Sequence, residues 1–541
     1  MKTYMKSNLN RQILLAFLFL ALSILSVYPA FTGHFFKLTM DGQIHLVRFE
    51  PIAEAFKHFE LPPMVNFKGF GNVGEVFTAT YPWIGELIFI IPLALLKNQI
   101  LAYAIGFVLL NLLTIFNIYL LTKRLTRNVF IQLIGVIIYQ FNSYHMIVMF
   151  ARNAIGEATA YAFLPLVLLG WILIFEHKST VGVITLSFGL GMIGNSHVIT
   201  AFYTCLLLLV GLVFAFVYKR IDKNIIKSFL YSGVLTLLLD LFTICNILMI
   251  LLNNRITTAG KDFKTSQLTD VIDASLNNYI GDKVGYWNIG LVSLILLFLL
   301  FGKAVCVKKG NVWRTYTFIA MGIFVVTLSW FNSIDNYLGK TILGNIQFSG
   351  RLLSFVMLFL VAALTLYLGS YTNKYDIKVI ATVICISTFC LSLLGVREFH
   401  YIKNDDPIRY YLTQENYRKT IENPISGWSD YIPIDNSGKP LVNINNPKLK
   451  DITKVTYNKI SYSFYSKNAT DYRLPLLFYK EINYTINGRK VRVTRNLVTI
   501  MAKKGNNLVT VSSKPTRLSY ILFTVSLVTI MVLSVAIVIK V

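Results

Sequence analysis

Hydrophobic residues in this chain come in long runs rather than alternating stripes. Runs of near-spanning length fall at about 13–31, 101–122, 129–149, 158–176, 179–196, 199–218, 228–252, 288–302, 315–331, 351–370, 377–396 and 518–539, about twelve in all. Each predicts a membrane-crossing helix, because a helix satisfies its own backbone hydrogen bonds where no water can. The first run follows Lys2, Lys6 and Arg11 as in a signal peptide, but no small-x-small cleavage site comes promptly after it, so it reads as a retained span. The shorter piece "WIGELIFIIPLALL", Trp83 to Leu96, contains Glu86 and reads as an interfacial or re-entrant segment. The one long polar segment, about 397–517, alternates in "KVTYNKISYSFYS" and "RKVRVTRNLVTI", with Asn487-Gly488 as a two-residue turn signal. The pattern predicts a mainly α, polytopic membrane protein: a core over 1–396 with a long first outer loop at 32–100, a small extracytoplasmic β-rich domain over 397–517, and a last helix over 518–541.

Composition agrees, since 55% hydrophobic residues and a mean hydropathy of +0.59 exclude an ordinary water-soluble globule. A net charge of +25 would suit nucleic acid, but the basic residues sit in short clusters between apolar runs, a pattern of topology and lipid contact. Threaded from a cytoplasmic N-terminus, Lys123, Arg124 and Arg127, then Lys178, then Lys219, Arg220, Lys223 and Lys227, then Lys303, Lys308, Lys309 and Arg314, then Lys374 and Lys378 all fall inside. This threading puts both termini in the cytoplasm and the β-rich domain outside. The five cysteines show no CxxC spacing, which predicts neither disulfides nor a thiolate metal site.

Chemistry concentrates in "LTMDGQIHLVRFEPIAEAF", residues 38–56. If 41–50 is helical, Asp41, His45 and Arg48 share one face, with Asp41 at the positive end of the helix dipole. The bland alternative is an Asp41 cap and an Arg48 anchored to lipid phosphate.

Further segments carry a family resemblance. "MDGQIHLVRFEPIAEAF" followed by "LPPM", "GFGNVG" and "TYPWIG", then "ARNAIGEATAYAFLPLVLLGW", "NSHVITAFY", "IQFSGRLLSF" and "LPLLFYKEINYTING", together resemble the bacterial membrane-protein group labelled as related to 6-pyruvoyl-tetrahydropterin synthase. That group is similar to the YfhO-type proteins and, more distantly, to the GT-C glycosyltransferases. The resemblance implies transfer of a sugar from a polyprenyl-phosphate donor to a cell-envelope glycan or lipid acceptor on the outer membrane face, beside the bilayer and without nucleic acid. It also implies a partner that charges the polyprenyl carrier on the cytoplasmic face.

On that reading Asp41 matches the acidic position beyond the first span and acts as general base toward the acceptor hydroxyl. Arg351 in "QFSGR", with Gln347 beside it, and also Arg48 and Arg152, are candidates for the donor phosphate; an interfacial anchor is the plain alternative for Arg351. Glu157 binds a sugar hydroxyl or simply pairs with Arg152. His197 assists proton transfer, ligates a divalent cation with Asp41, or is a hydrogen-bonded structural histidine, and neither HxxxH nor DxD stands near it. No cofactor is named by the sequence; a divalent cation stays open. Asp240, mid-run in "LTLLLDLFTICN", is either functional or a helix-to-helix hydrogen bond. Phe70, Tyr81 and Trp83 suit sugar stacking or an interfacial belt. Two departures from the group's pattern, Trp83 after "YP" and "QFSGR", fall near the implied donor site. A non-catalytic envelope scaffold and a flippase for lipid-linked glycans are the competing classes, although no internal repeat supports the second.

Overall fold

All twelve apolar runs fall on helices in the computed structural model, which describes residues 2–540 apart from 282, 308–309, 331, 371–373, 403–409, 423–429, 442–451 and 494–495. The chain is mainly helical, at 66% helix. By length and composition, seven helices can cross a membrane: Asn10–His34, Gln99–Leu125, Ile155–Phe175, Val198–Val217, Ser349–Gly369, Lys378–Tyr401 and Arg517–Lys540. Two bent pairs, Val129–Gln140 with Ser143–Ala151 and Lys223–Leu239 with Leu241–Asn253, bring the number to nine if each is one span. The expectation of about twelve is therefore coarser in the structure. Ser179–Gly194, Leu291–Cys306 and Val312–Thr327 are apolar but only 16 residues each, and run length in the sequence does not reveal such early stops.

Each bend sits where polar side chains interrupt an apolar run. The first pair turns by 44° after Gln140, where the Asn142 side chain caps the new helix by accepting from the His145 amide. The second turns by 67° at Asp240, whose carboxylate accepts 2.7 Å from the Asn195 side chain. Asn195 also donates to the Leu239 carbonyl and accepts from the Thr243 hydroxyl. Asp240 is thus a helix-to-helix hydrogen bond that holds a break, as the plainer expectation had it.

The segment 32–100, expected as a long first outer loop, is folded rather than open. Phe36–Leu38 forms a strand and Met40–Lys57 a helix, which extends the expected 41–50 at both ends and tolerates Pro51 inside it. Glu86 closes a short turn ahead of helix Leu87–Leu95, too short to cross a bilayer, which packs on the Gln99–Leu125 helix through Phe89 and Gly106.

The C-terminal region is β-rich. A five-stranded antiparallel sheet runs in the order Ile452–Thr456, Lys459–Ser466, Gly505–Ser513, Tyr484–Ile486, Arg489–Val491. Its last two strands join at Asn487-Gly488, both at positive φ, the backbone that a tight hairpin turn requires. The expected strand over 489–500 is divided, because Thr499–Ala502 pairs with Thr470–Arg473 in a separate ladder. The region also packs against the rest of the chain. Helix Lys374–Tyr401 continues past the expected boundary at 396, strand Tyr410–Leu412 pairs with Phe36–Leu38, and Val65, Phe67 and Ile250 share a core with Tyr462, Phe478 and Tyr484. This polar segment, which has no cysteines, gains apolar burial by docking on the first loop.

Candidate functional site

The site begins at the junction between strand Phe36–Leu38 and helix Met40–Lys57. The Thr39 amide donates 2.9 Å to Asn153 Oδ1, and its hydroxyl donates 2.7 Å to the Arg152 carbonyl. Helix and loop approach so closely that a Cβ on Gly42 would stand 2.5 Å from Asn153 Oδ1, which only glycine permits. Asp41 therefore faces Arg152 at 3.8 Å, with its own side chain 46% exposed. Thr39, and not Asp41, stands at the cap position.

Beneath Asp41 the charges are buried. Arg152 Nη1 donates 2.8 Å to Glu157, Arg351 Nε lies 3.2 Å from the same carboxylate oxygen, and the Tyr144 hydroxyl donates 2.6 Å to the other oxygen. Both guanidinium groups also lie 4.5 Å from the ring centre of Phe348, which they share as a cation–π partner. One carboxylate thus holds two arginines drawn from loops almost 200 residues apart in sequence, both at least nine-tenths buried. Such a pair of planar donors is pre-organised to face an anion without rearrangement.

Arg48 lies deeper and does a different job. It is fully buried and pairs with Glu86, donates to the Pro82 carbonyl, and lies over the Tyr81 ring at 4.2 Å. Its Nη2 reaches His45 Nδ1 at 2.8 Å. Burial, helped by Arg48, lowers the pKa of His45 well below the usual imidazole value, so the ring is neutral and Nδ1 accepts. The Arg48 guanidinium is committed inside the protein and is a support under the site, not a phosphate ligand.

His197 follows the same logic. Burial first, and then Arg351, push it down to about 3, and its Nδ1 accepts from the Thr200 amide at the start of helix Val198–Val217. The geometry is that of a structural cap. A metal shared with Asp41 would have to use the other ring nitrogen, and among the described residues no group of three or more His, Cys, Asp or Glu side chains gathers to hold one. Gln347 points elsewhere, donating 3.2 Å to the Gly260 carbonyl.

The structure thus brings Asp41, Arg152, Glu157 and Arg351 into one group, sets His45, Arg48 and His197 under or beside it, and leaves Gln347 out. Sequence reasoning missed three members. Glu86 was hidden in an apolar segment, Phe348 lay inside the quoted "QFSGR", and Tyr144 belongs to "FNSYH", whose polar residues within an apolar run were the available signal. Phe70 and Trp83 are core residues, 3% and 2% exposed, so neither forms an interfacial belt nor offers a face to a sugar. Trp83 stacks on Phe523 of the last helix and meets Phe242 edge-on, which explains a large ring after "YP".

An apolar cleft of about 220 Å³ lies farther along helices Ile155–Phe175, Val198–Val217 and Ser349–Gly369, against helix Val312–Thr327. Phe355 lies one turn beyond Arg351, Leu164 two turns beyond Glu157 and Thr204 two turns beyond His197; Leu208 and Ile319 complete the walls. Neither a scan against protein-family models nor a search of curated proteins returns a match for this chain.

Proposed function

We propose that this chain is an integral membrane glycosyltransferase of the GT-C kind, moving a sugar from a polyprenyl-phosphate donor to a cell-envelope acceptor on the outer face. The observation that carries the reading is the half-exposed Asp41 held above the buried Arg152–Glu157–Arg351 group, with an apolar cleft farther along the helices that begin beside it. A lipid-linked sugar phosphate needs those three surroundings together: hydrocarbon for the tail, guanidinium groups for the phosphate and a carboxylate for the acceptor proton.

In this reading the helical body crosses the bilayer about twelve times. The three 16-residue helices, each about 24 Å long by helical rise, cross where the protein thins the hydrocarbon layer. The loops that carry the site lie outside, the basic clusters inside and both termini in the cytoplasm. Asp41 takes the proton from the acceptor hydroxyl as the bond from sugar to phosphate breaks; the leaving phosphate gains charge beside Arg152 and Arg351. Glu157 keeps those arginines fixed, so their field is in place before the charge develops. The position of Asp240 in a helix bend gives no support to a flippase.

The test is the envelope glycan composition of a strain lacking the gene, complemented with wild type or Asp41→Asn at matched expression. Loss of one sugar in both the deletion and the Asp41→Asn strain is expected. A wild-type glycan profile in the Asp41→Asn strain overturns the catalytic reading and leaves scaffolding as the account.

A further inference from the structure

We propose a second ligand site at the far end of the molecule: an anionic phospholipid with a hydroxyl-bearing headgroup, its phosphate between Arg11 and Lys123 and its headgroup hydroxyl on Gln132. The inference uses the bilayer location of the reading above but none of its chemistry.

A cavity of about 610 Å³ opens where the first helix, the Gln99–Leu125 and Val129–Gln140 helices and the last helix meet. Its walls are apolar, formed by Phe19, Tyr119 and Val538 among others, and its rim carries Arg11 and Lys123. Among the described residues neither cation has a carboxylate partner. Two cations facing one recess repel each other, and a shared anion removes that cost.

Gln132 narrows the chemistry. The residue is 3% exposed, its Nε2 donates 2.8 Å to the Thr126 carbonyl, and its Oε1 has no partner. Reversing the amide would set two oxygens face to face, so the orientation is fixed by that bond. A buried acceptor at the cavity wall calls for a donor, which a phosphodiester lacks and a glycerol headgroup has. The apolar walls select a lipid over a soluble phosphate, because an acyl chain covers them.

The experiment is a titration of the delipidated full chain in detergent with phosphatidylglycerol, phosphatidylcholine, phosphatidic acid and soluble glycerol phosphate, read by native mass spectrometry and thermal shift. Phosphatidylglycerol is expected to bind most tightly and raise the melting temperature. Arg11→Gln with Lys123→Gln weakens its binding roughly 30-fold, the effect of two basic residues at a membrane surface. Gln132→Leu lowers binding of phosphatidylglycerol about tenfold and leaves phosphatidic acid unchanged. Both cations are exposed, so their removal leaves the fold intact and stands as the test even where Gln132→Leu fails to fold. Equal binding of phosphatidylcholine, unchanged binding by the doubly substituted chain, or equal competition by glycerol phosphate overturns the proposal. The same titration in the Asp41→Asn background separates the two readings, since loss of transfer there leaves lipid binding untouched.

Discussion

Arginine pairs with glutamate at both ends of the helical body, in opposite surroundings. At one end Arg48 and Glu86 are each 0% exposed, and Arg152, Arg351 and Glu157 between 3% and 9%. At the other, Arg124 and Glu176 are 35% and 36% exposed, with Lys178 added at 3.6 Å from Glu176 and His177 at 3.7 Å from Asp222 nearby. The residue types are the same, but the dielectric around them is not. Charges at the exposed end interact through water and cost little to rearrange. Those at the buried end have lost their hydration and persist only because each is matched, which makes their positions hard to alter and suits them to hold a reacting group.

The sharpest way to break that comparison is Arg48→Ala. It leaves Glu86 buried without its cation and His45 Nδ1 without its donor, and the expected loss is about 3–5 kcal/mol, seen as a large fall in the thermal midpoint of the purified protein. Replacing both partners, Arg48→Met with Glu86→Met, should recover much of that loss, because a matched buried pair is close to neutral against an apolar isostere. An Arg48→Ala chain as stable as wild type would show that Glu86 is already neutral, and the two ends would no longer differ in kind.

How far each end was legible in the sequence follows from the same contrast. The exposed end was readable as polar helix ends, because Arg124 and Lys178 stand just beyond apolar runs, and both meet Glu176 there. Helix positions were readable for the same reason. At the buried end Asp41, Arg152, Glu157 and Arg351 stood out singly, but their meeting depends on contacts across more than 100 residues between Asp41 and Arg152 and almost 200 between Glu157 and Arg351, which no local pattern encodes. The role of Arg48 was misjudged because its partner sits inside "WIGELIFII", where hydropathy averages a single carboxylate away. The bends at Gln140 and Asp240 escaped because an apolar run looks the same whether straight or broken. The docking of the β-rich region escaped because alternation shows which face of a strand is buried and says nothing about what covers it.

Glu75 sharpens the comparison by supplying a buried carboxylate with no ion-pair partner among the described residues. It lies in the first loop, bridged by backbone to Asn66 and accepting the Phe77 amide, next to Val73 and Gly74 on which Leu477 of the β-rich region rests. Burial, only partly offset by hydrogen bonds, raises its pKa from 4.5 to about 7. The folded protein therefore binds this proton more tightly than the unfolded chain does. Stability from this group is fully present below about 4.5 and is lost as pH rises through about 7, a fall on the order of 3 kcal/mol across that window. Glu75→Gln should flatten the pH dependence of the thermal midpoint and of protease release of the β-rich region. A profile that keeps its slope in the Glu75→Gln chain would assign the effect to another group.

The smallest effect belongs to the exposed pair. Arg124 makes two donations to Glu176, at 3.1 Å from Nε and closer from Nη2, a good geometry that would suggest strength if contacts alone were counted. Both side chains remain about a third exposed, however, so water solvates each charge whether or not the pair forms, and two long side chains give up rotamer freedom to hold it. Arg124→Gln should therefore cost about 0.2–1 kcal/mol, and the difference from wild type should shrink in 1 M salt, where screening acts over about 3 Å. The buried pair should keep its energy in the same salt, because ions do not reach it. The thermal midpoints of both substitutions at low and high ionic strength give the contrast directly. A salt-insensitive loss at Arg124 as large as that at Arg48 would mean that hydrogen-bond geometry, and not desolvation, separates the two ends.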